Sequence, residues 1–347
     1  MLYIIFLGSK TFLLADEVSI RYFLGVSIEE GYLLINNNKA VLFTDARYYD
    51  FVKTLNAKIQ VEHKLFSSLS DIKLELESQN LKSVYINYDK VTLSSFGELK
   101  KALKVKLLNG SKILQTARSK KSKKELLEIE KSCDIIFNSL MVAVESLKVG
   151  VTENEIREII VKEIVKNGGE GESFESIVAF SKNSAIPHHQ TGNTPLEKNS
   201  VVLIDTGCVY NGYCSDITRT YFFGEPTKEF IDNYNAVLNA NLLSLEKIKV
   251  GFTEKEADAV AREYLKSKNL DKYFTHSLGH GVGLEIHENI RLSPKSNGKL
   301  KSGQVFTIEP GVYFENKYGI RIEDTVVLTK KGVKRFFTDD KSLKIIK

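Results

Sequence analysis

The run VVLIDTGCVYNGYCSDITRTYFF, Val201 to Phe223, has the apolar density of a buried β-hairpin, yet it carries two aspartates, Asp205 and Asp216. An ionised carboxylate taken out of water costs several kcal/mol unless a cation, a charged partner or a set of donors satisfies it. Asn211-Gly212 is the dipeptide of a two-residue type I′ turn. That turn sets Tyr210 opposite Tyr213, and counting outward sets Asp205 opposite Thr218 and Asp216 opposite Gly207. The aspartates are then diagonal neighbours on one face of the ribbon, about 7–8 Å apart at Cα. Carboxylates converging from that separation can grip a divalent metal or a pair of metals. Taken alone, the hairpin is equally served by a lysine beside each aspartate or by a turn cap.

A second pair of acids strengthens the metal reading. Phe306-Thr307-Ile308-Glu309-Pro310-Gly311 and Ile320-Arg321-Ile322-Glu323-Asp324 place Glu309 and Glu323 at the ends of apolar alternations, where an exposed strand would not need them. Five of the six histidines fall between positions 188 and 287. His188 and His189 precede the hairpin. His276, His280 and His287 lie in a glycine-rich segment, His276 to Glu288, whose backbone can approach a ligand closely. This H-x-x-x-H with a following H-E is not the H-E-x-x-H of zinc proteases.

The elements that must position these residues follow from the rest of the chain. At 347 residues, 42% hydrophobic and 27% charged, the composition is that of a soluble globular protein with room for two cores, which excludes disorder. A net charge of +5 over that length gives no field that would gather nucleic acid. The basic run Arg118 to Lys124 lacks interleaved aromatics and reads as a solvated linker and helix start. Cys133, Cys208 and Cys214 form no C-x-x-C pair, and the hairpin register sets Cys208 and Cys214 on opposite faces, so free thiols and a reducing, cytoplasmic compartment are expected. The opening MLYIIFLG has no basic flank and too short an apolar run for a leader or a membrane span; it is expected to be a strand.

Before about residue 117, strand-like runs (32–35, 40–44, 83–86) alternate with helical stretches (46–56, 93–104), as in an α/β domain. Ser122-Lys123-Lys124-Glu125 has the spacing of a capping box at the head of a long amphipathic helix, which sets domains of 1–120 and 121–347. Within the second, Lys148-Val149-Gly150-Val151-Thr152-Glu153-Asn154-Glu155 returns as Lys249-Val250-Gly251-Phe252-Thr253-Glu254-Lys255-Glu256. Each copy ends a helix at glycine and restarts one at Thr-x-x-Glu, and an antiparallel strand pair follows each. The expectation is an α+β domain of two halves related by a pseudo-twofold, their strands pooled into one sheet with helices outside.

These residues carry a family resemblance. The chain resembles the methionine aminopeptidase/prolidase/creatinase family of pita-bread metallohydrolases, in its aminopeptidase P and prolidase branch, over nearly its whole length. The resemblance implies a C-terminal pita-bread fold preceded by a smaller α/β creatinase-like domain, to which Tyr22-Phe23-Leu24-Gly25 and Leu42-Phe43-Thr44-Asp45-Ala46-Arg47-Tyr48-Tyr49 are similar. It implies metal ligands at Asp205, Asp216, His280, Glu309 and Glu323, all present without substitution. The segment Ser181 to His188 resembles the one whose histidine contacts the reacting centre, which makes His188 that residue and His189 a bystander. By the same resemblance Glu309 also shuttles a proton, His188 and His287 stabilise the oxyanion, and His276 and Arg321 lie on the substrate side, the arginine able to grip a carboxylate bidentately.

Four carboxylates balance two divalent ions and leave room for a bridging hydroxide. Hard oxygen donors with one imidazole suit Mn²⁺, with Co²⁺ or Zn²⁺ acceptable. The implied function is a metal-dependent Xaa-Pro aminopeptidase acting on peptides with proline in second position, as a homodimer without nucleic-acid or membrane partners. An Xaa-Pro dipeptidase is the alternative in the same class, and a catalytically inactive pita-bread binding module the alternative in another.

Overall fold

The computed structural model describes residues 10–37, 39–54 and 59–347. The chain parts into two compact units between Arg118 and Ser119, inside the basic run. The first eight residues of the sequence, expected to be a strand, lie outside the described residues, as do residues 55 and 56 of the expected helical stretch.

The first unit runs β1 (Phe12–Leu14), α1 (Glu17–Leu24), β2 (Tyr32–Asn36), β3 (Lys39–Thr44), α2 (Tyr49–Thr54), β4 (Val61–Leu65), α3 (Leu69–Ser78), β5 (Ser83–Ile86), α4 (Leu93–Leu103), β6 (Lys106–Asn109) and α5 (Ser111–Ser119). The strands form one mixed sheet in the order β4-β3-β2-β1-β5-β6. Asp16 caps the Ser19 N–H at the start of α1, and Gly25 ends that helix in the left-handed region at φ 83°. Leu13, Leu34, Val41 and Phe43 from the sheet pack on Ile72, Leu76, Leu99 and Leu103 from α3 and α4.

The second unit opens with α6 (Lys123–Glu145), α7 (Glu153–Lys166), β7 (Gly171–Glu172), β8 (Ile177–Phe180), β9 (Ser200–Thr206), β10 (Cys208–Tyr210), β11 (Tyr213–Cys214) and β12 (Ile217–Phe223). It continues with α8 (Lys228–Lys247), α9 (Glu254–Ser267), β13 (Gly279–Gly281), β14 (Glu288–Leu292), β15 (Val305–Ile308), β16 (Gly311–Phe314), β17 (Tyr318–Arg321), β18 (Asp324–Thr329), β19 (Gly332–Arg335) and β20 (Ile345–Ile346). The sequence echo is a structural echo. Capping boxes Thr152/Glu155 and Thr253/Glu256 open α7 and α9, and Gly150 and Gly251 sit at φ 88° and 96°. Gly150 N–H donates to Leu196 O and Gly251 N–H to Leu300 O; Leu196 and Leu300 return the bond to Val151 O and Phe252 O. Each pair of helices covers its own half's strands, Ile136, Ile156 and Ile160 against Val178, Ile204 and Ile217, and Val237, Ala257 and Ala261 against Phe306, Ile308 and Val326. A large aliphatic or aromatic side chain among these contributes about 1.5–3 kcal/mol by leaving water.

Two expectations are corrected. The halves do not pool their strands into one hydrogen-bonded sheet: β8, β9, β12 and β20 form one, β13, β14, β15, β18 and β19 another, with small sheets β7-β10-β11 and β16-β17 beside them. At the seam a side chain replaces the ladder. The Thr220 hydroxyl receives the Arg321 N–H at 3.1 Å and donates to Arg321 O at 2.9 Å, while Glu323 N–H reaches across to a backbone oxygen, Thr218 O, at 3.1 Å. The basic run is not a uniformly solvated linker either. Arg118, Ser119 and Lys121 are buried, and the Lys121 ammonium lies 2.7 Å from Glu288, both side chains almost fully enclosed.

The cysteines fall where the hairpin register sets them: Val209 faces Cys214 and Tyr210 faces Tyr213 across the turn, and all three thiols are buried and unpaired. Burial pushes the Cys208 thiol up to about 11 and Cys214 up to about 12. We expect no thiol to react with a disulfide reagent at pH 8 in the native protein and all three to react after denaturation. A Cys208–Cys214 cross-link found by peptide mass mapping would overturn the register.

Candidate metal centre

The hairpin delivers the aspartates as its turn dictates. Asn211 and Gly212 both take positive φ, 46° and 75°, and the ladder pairs Asp205 with Thr218 and Ile217 with Thr206. Between Thr206 and Cys208 the chain passes from one sheet to another, and Gly207 makes the passage: a Cβ there would lie 2.1 Å from Ser173 Oγ and 2.2 Å from Ser215 O. Asp216, just before β12, is held through its backbone, whose N–H and C=O both bond the Thr325 hydroxyl (3.1 and 2.7 Å). The first half thus hangs its ligand on the second.

The second half brings His280 on β13, Glu309 after β15 and Glu323 before β18. Gly279 lets β13 approach, since a Cβ there would stand 2.0 Å from Thr307 O. The Thr307 hydroxyl receives the His280 N–H at 3.0 Å and donates to Glu309 at 3.1 Å, so one side chain fixes two candidate ligands. His280 Nε2 lies 3.4 Å from Asp216 Oδ2 and 3.6 Å from Glu309 Oε1. Ligand atoms of Asp216, His280 and Glu323 lie within 4.8 Å of one another. The Thr218 hydroxyl donates to Glu323 at 2.5 Å and accepts Arg321 Nε at 3.0 Å.

These residues fit a compact cation. Asp205 Oδ1 and Asp216 Oδ1 are buried and have no hydrogen-bond partner among the described residues. Burial, and then the neighbouring carboxylates, hold the Asp216 and Glu323 carboxyls well above the ordinary range; burial raises Glu309 as well. Buried carboxylates that repel one another and leave oxygens unbonded are a set of donors for a divalent ion.

All nine residues singled out in the sequence line one cavity of about 1200 Å³. Their surroundings differ. His276 bonds Tyr313 Oη (2.9 Å) and Ser277 O (2.8 Å), and burial first, then Arg321, pulls its ring down to about 3. Burial and the neighbouring His280 and His188 pull His287 down to about 4, with its ring centroid 4.2 Å from that of His280. The ring of His188 is exposed to the cavity and has no hydrogen-bond partner among the described residues. Arg321, expected on the substrate side, is surrounded by partners within the chain. Its Nη2 lies 2.5 Å from Asp205, its Nη1 2.6 Å from Tyr313 Oη, and its Nε on Thr218, so its fork is engaged with the protein. His189 is not idle: its Nε2 lies 2.9 Å from the buried carboxylate of Glu153.

Several residues were missed in the sequence. Thr218 was legible as the partner opposite Asp205, but nothing marked Thr307, Thr325 or Tyr313. Nor did anything mark Asp258 and Arg262, an i,i+4 pair on α9 joined fork to carboxylate at 2.7 and 2.9 Å. Asp258 accepts Leu278 N–H, and Arg262 donates to Phe274 O and His276 O, which fastens the His276 loop to the helix.

Compared with known proteins, residues 128–330 match metallopeptidase family M24 and residues 7–120 the creatinase/prolidase N-terminal domain. The chain is 35% identical over 331 residues to an Xaa-Pro dipeptidase of Pyrococcus furiosus, across 95% of this chain and 94% of that one. Among solved structures it is similar to an Xaa-Pro dipeptidase from Bacillus anthracis (TM-score 0.95, 31% identity, 100% and 99% of the two chains). It is likewise similar to an X-Pro aminopeptidase from Thermotoga maritima (TM-score 0.92, 32% identity, 98% of each).

The raised carboxyls set a pH dependence. In the metal-free protein they bind protons in the folded state at a pH where the unfolded chain has released them, so folding stability falls as pH rises from about 4 through their folded pKa values. We expect the melting temperature of chelated wild type, measured against Glu323→Gln, to decline over that window, and Mn²⁺ to restore it at pH 7 far more than at pH 4. A flat difference, or equal protection at both pH values, would remove these acids as a cation site.

Proposed function

The chain belongs to metallopeptidase family M24, in its aminopeptidase P and prolidase branch, and from that membership we propose that it removes the N-terminal residue from peptides with proline in second position. The observation that carries this reading is the convergence of Asp205, Asp216, His280, Glu309 and Glu323, with two buried carboxylate oxygens unpartnered among the described residues, on a cavity of about 1200 Å³. The X-Pro aminopeptidase among the similar solved structures favours this reading. The dipeptidases among its relatives favour the second reading, an Xaa-Pro dipeptidase.

On this reading the five ligands hold two divalent ions, Mn²⁺ with Co²⁺ or Zn²⁺ accepted, which supply Lewis acidity at the scissile carbonyl and an acidified water. The remaining steps belong to the chain. Glu309, whose carboxyl is raised by burial, takes a proton at Oε and returns it to the leaving nitrogen. His287, neutral because its pKa is about 4, and His188 turn N–H groups to the developing oxyanion. His276, also neutral, sits between Tyr313 and Glu309, 3.7 Å from the latter, on the substrate side. Arg321 holds Asp205 and Tyr313 in place. The unpaired thiols fit a reducing compartment, and we place the enzyme in the cytoplasm.

The test is to chelate the protein, add back Mn²⁺, and compare a tripeptide with proline second against the matching dipeptide. Faster tripeptide turnover supports the aminopeptidase; faster dipeptide turnover the dipeptidase; none on either leaves a binding module. Asp216→Ala should abolish turnover while the melt stays cooperative, and near-normal activity with normal metal content would sink the two-ion centre. His188→Ala should keep both ions, lose about 10²–10³ in kcat and change KM little. An ion missing from that variant would make His188 a ligand instead.

A further inference from the structure

Glu153 opens α7 with its carboxylate fully buried. Its Oε1 accepts the Phe180 N–H and the Asn183 side-chain amide, both at 2.8 Å. Its Oε2 accepts the Gly192 N–H at 3.1 Å and lies 2.9 Å from His189 Nε2. One carboxylate at a helix N-terminus, where negative charge is favoured, therefore gathers both ends and the middle of the segment 180–192.

That segment carries His188. The ring of His188 has no hydrogen bond among the described residues, so its direction depends on the backbone that bears it. Before it, Pro187 fixes φ. Pro187 and His188 form a turn closed by the His189 N–H on Ile186 O; both histidines border the cavity, but only His189 is tied, its Nε2 lying 2.9 Å from Glu153. Other ties of the segment lie further off, among them Thr191 to Val178 N–H and Ser176 O, Ser184 to Gly319 N–H, and Asn183 to Thr194. Closer to His188 stand the His189 N–H on Ile186 O at 3.1 Å and a long contact of 3.5 Å from Arg321 to Pro187 O.

We propose that Glu153 and His189 are a positioning pair that orients His188 over the substrate cavity, an inference that rests on the role given to His188 above. His189 acts by donating from Nε2 to Glu153, which stops the peptide unit between residues 188 and 189 from turning.

The test compares His189→Ala with His189→Gln in the full-length, Mn²⁺-loaded protein. The glutamine amide can still donate to Glu153 Oε2 from about the place of Nε2. We expect His189→Ala to keep its metal and its KM, to lose about tenfold or more in kcat, and to exchange the amide hydrogens of 188–192 faster. His189→Gln should recover most of the turnover and the slow exchange. Should His189→Ala fail to fold, His189→Asn, whose amide stops about one bond short, takes its place. Wild-type turnover in the alanine variant, or a glutamine variant as slow as the alanine one, overturns the proposal. If wild type cleaves no Xaa-Pro substrate, the functional reading fails by itself, and exchange at 188–192 still decides the pair: unchanged protection in His189→Ala overturns it.

Discussion

Asp205, Asp216 and Glu323 are nearly closed off from water with Glu309 half-buried beside them, and in low dielectric such carboxylates repel one another and resist ionising together. A fold that assembles them must provide a compensating charge and hold the oxygens so that they cannot turn away. Both needs explain why the ligands come from two halves. Each half contributes two acids and a strand pair, and the seam between the sheets is where a continuous ladder gives way to side-chain hydroxyls.

Threonines perform most of that holding. Thr218 orients Glu323 and Arg321, Thr307 orients His280 and Glu309, and Thr325 clasps the backbone of Asp216. Each is β-branched, suited to a strand, and small enough to sit between close backbones. Arg321 adds a guanidinium that faces the cluster directly, set on Asp205. Next to Glu323, Asp324 turns the other way into Arg219, Arg335 and Lys341, which hold its carboxyl far below the usual range and bind the C-terminal segment to β12. Alternation along one strand thus separates a raised acid from a lowered one at adjacent residues.

The histidine loops are irregular, and irregular backbone needs anchors. Glu153 on α7 gathers the His188 segment, Asp258 and Arg262 on α9 gather the His276 segment, and Lys121 pairs with Glu288 beside His287. In all three, a charged side chain enclosed by protein takes up backbone or side-chain groups that the loop cannot pair within itself. Helices that look from sequence like plain cover for the sheets therefore also position the cavity wall.

The two similar halves and the hairpin register were legible in the chain because they rest on local rules: Asn-Gly enforces one turn, period-two alternation one face, and Thr-x-x-Glu one kind of helix start; the metallopeptidase fold was implied by the family resemblance. Acids inside apolar runs stood out for the same reason, as violations of the local pattern. Folding in three dimensions settled the rest: the strands divide into separate sheets, Arg321 is turned onto Asp205, Lys121 in an apparently solvated run is buried, and His189 is tied to Glu153. Each of these depends on which of several available partners stands within hydrogen-bond reach. That choice is made between residues 36 to 167 positions apart, where no periodicity in the chain carries the information.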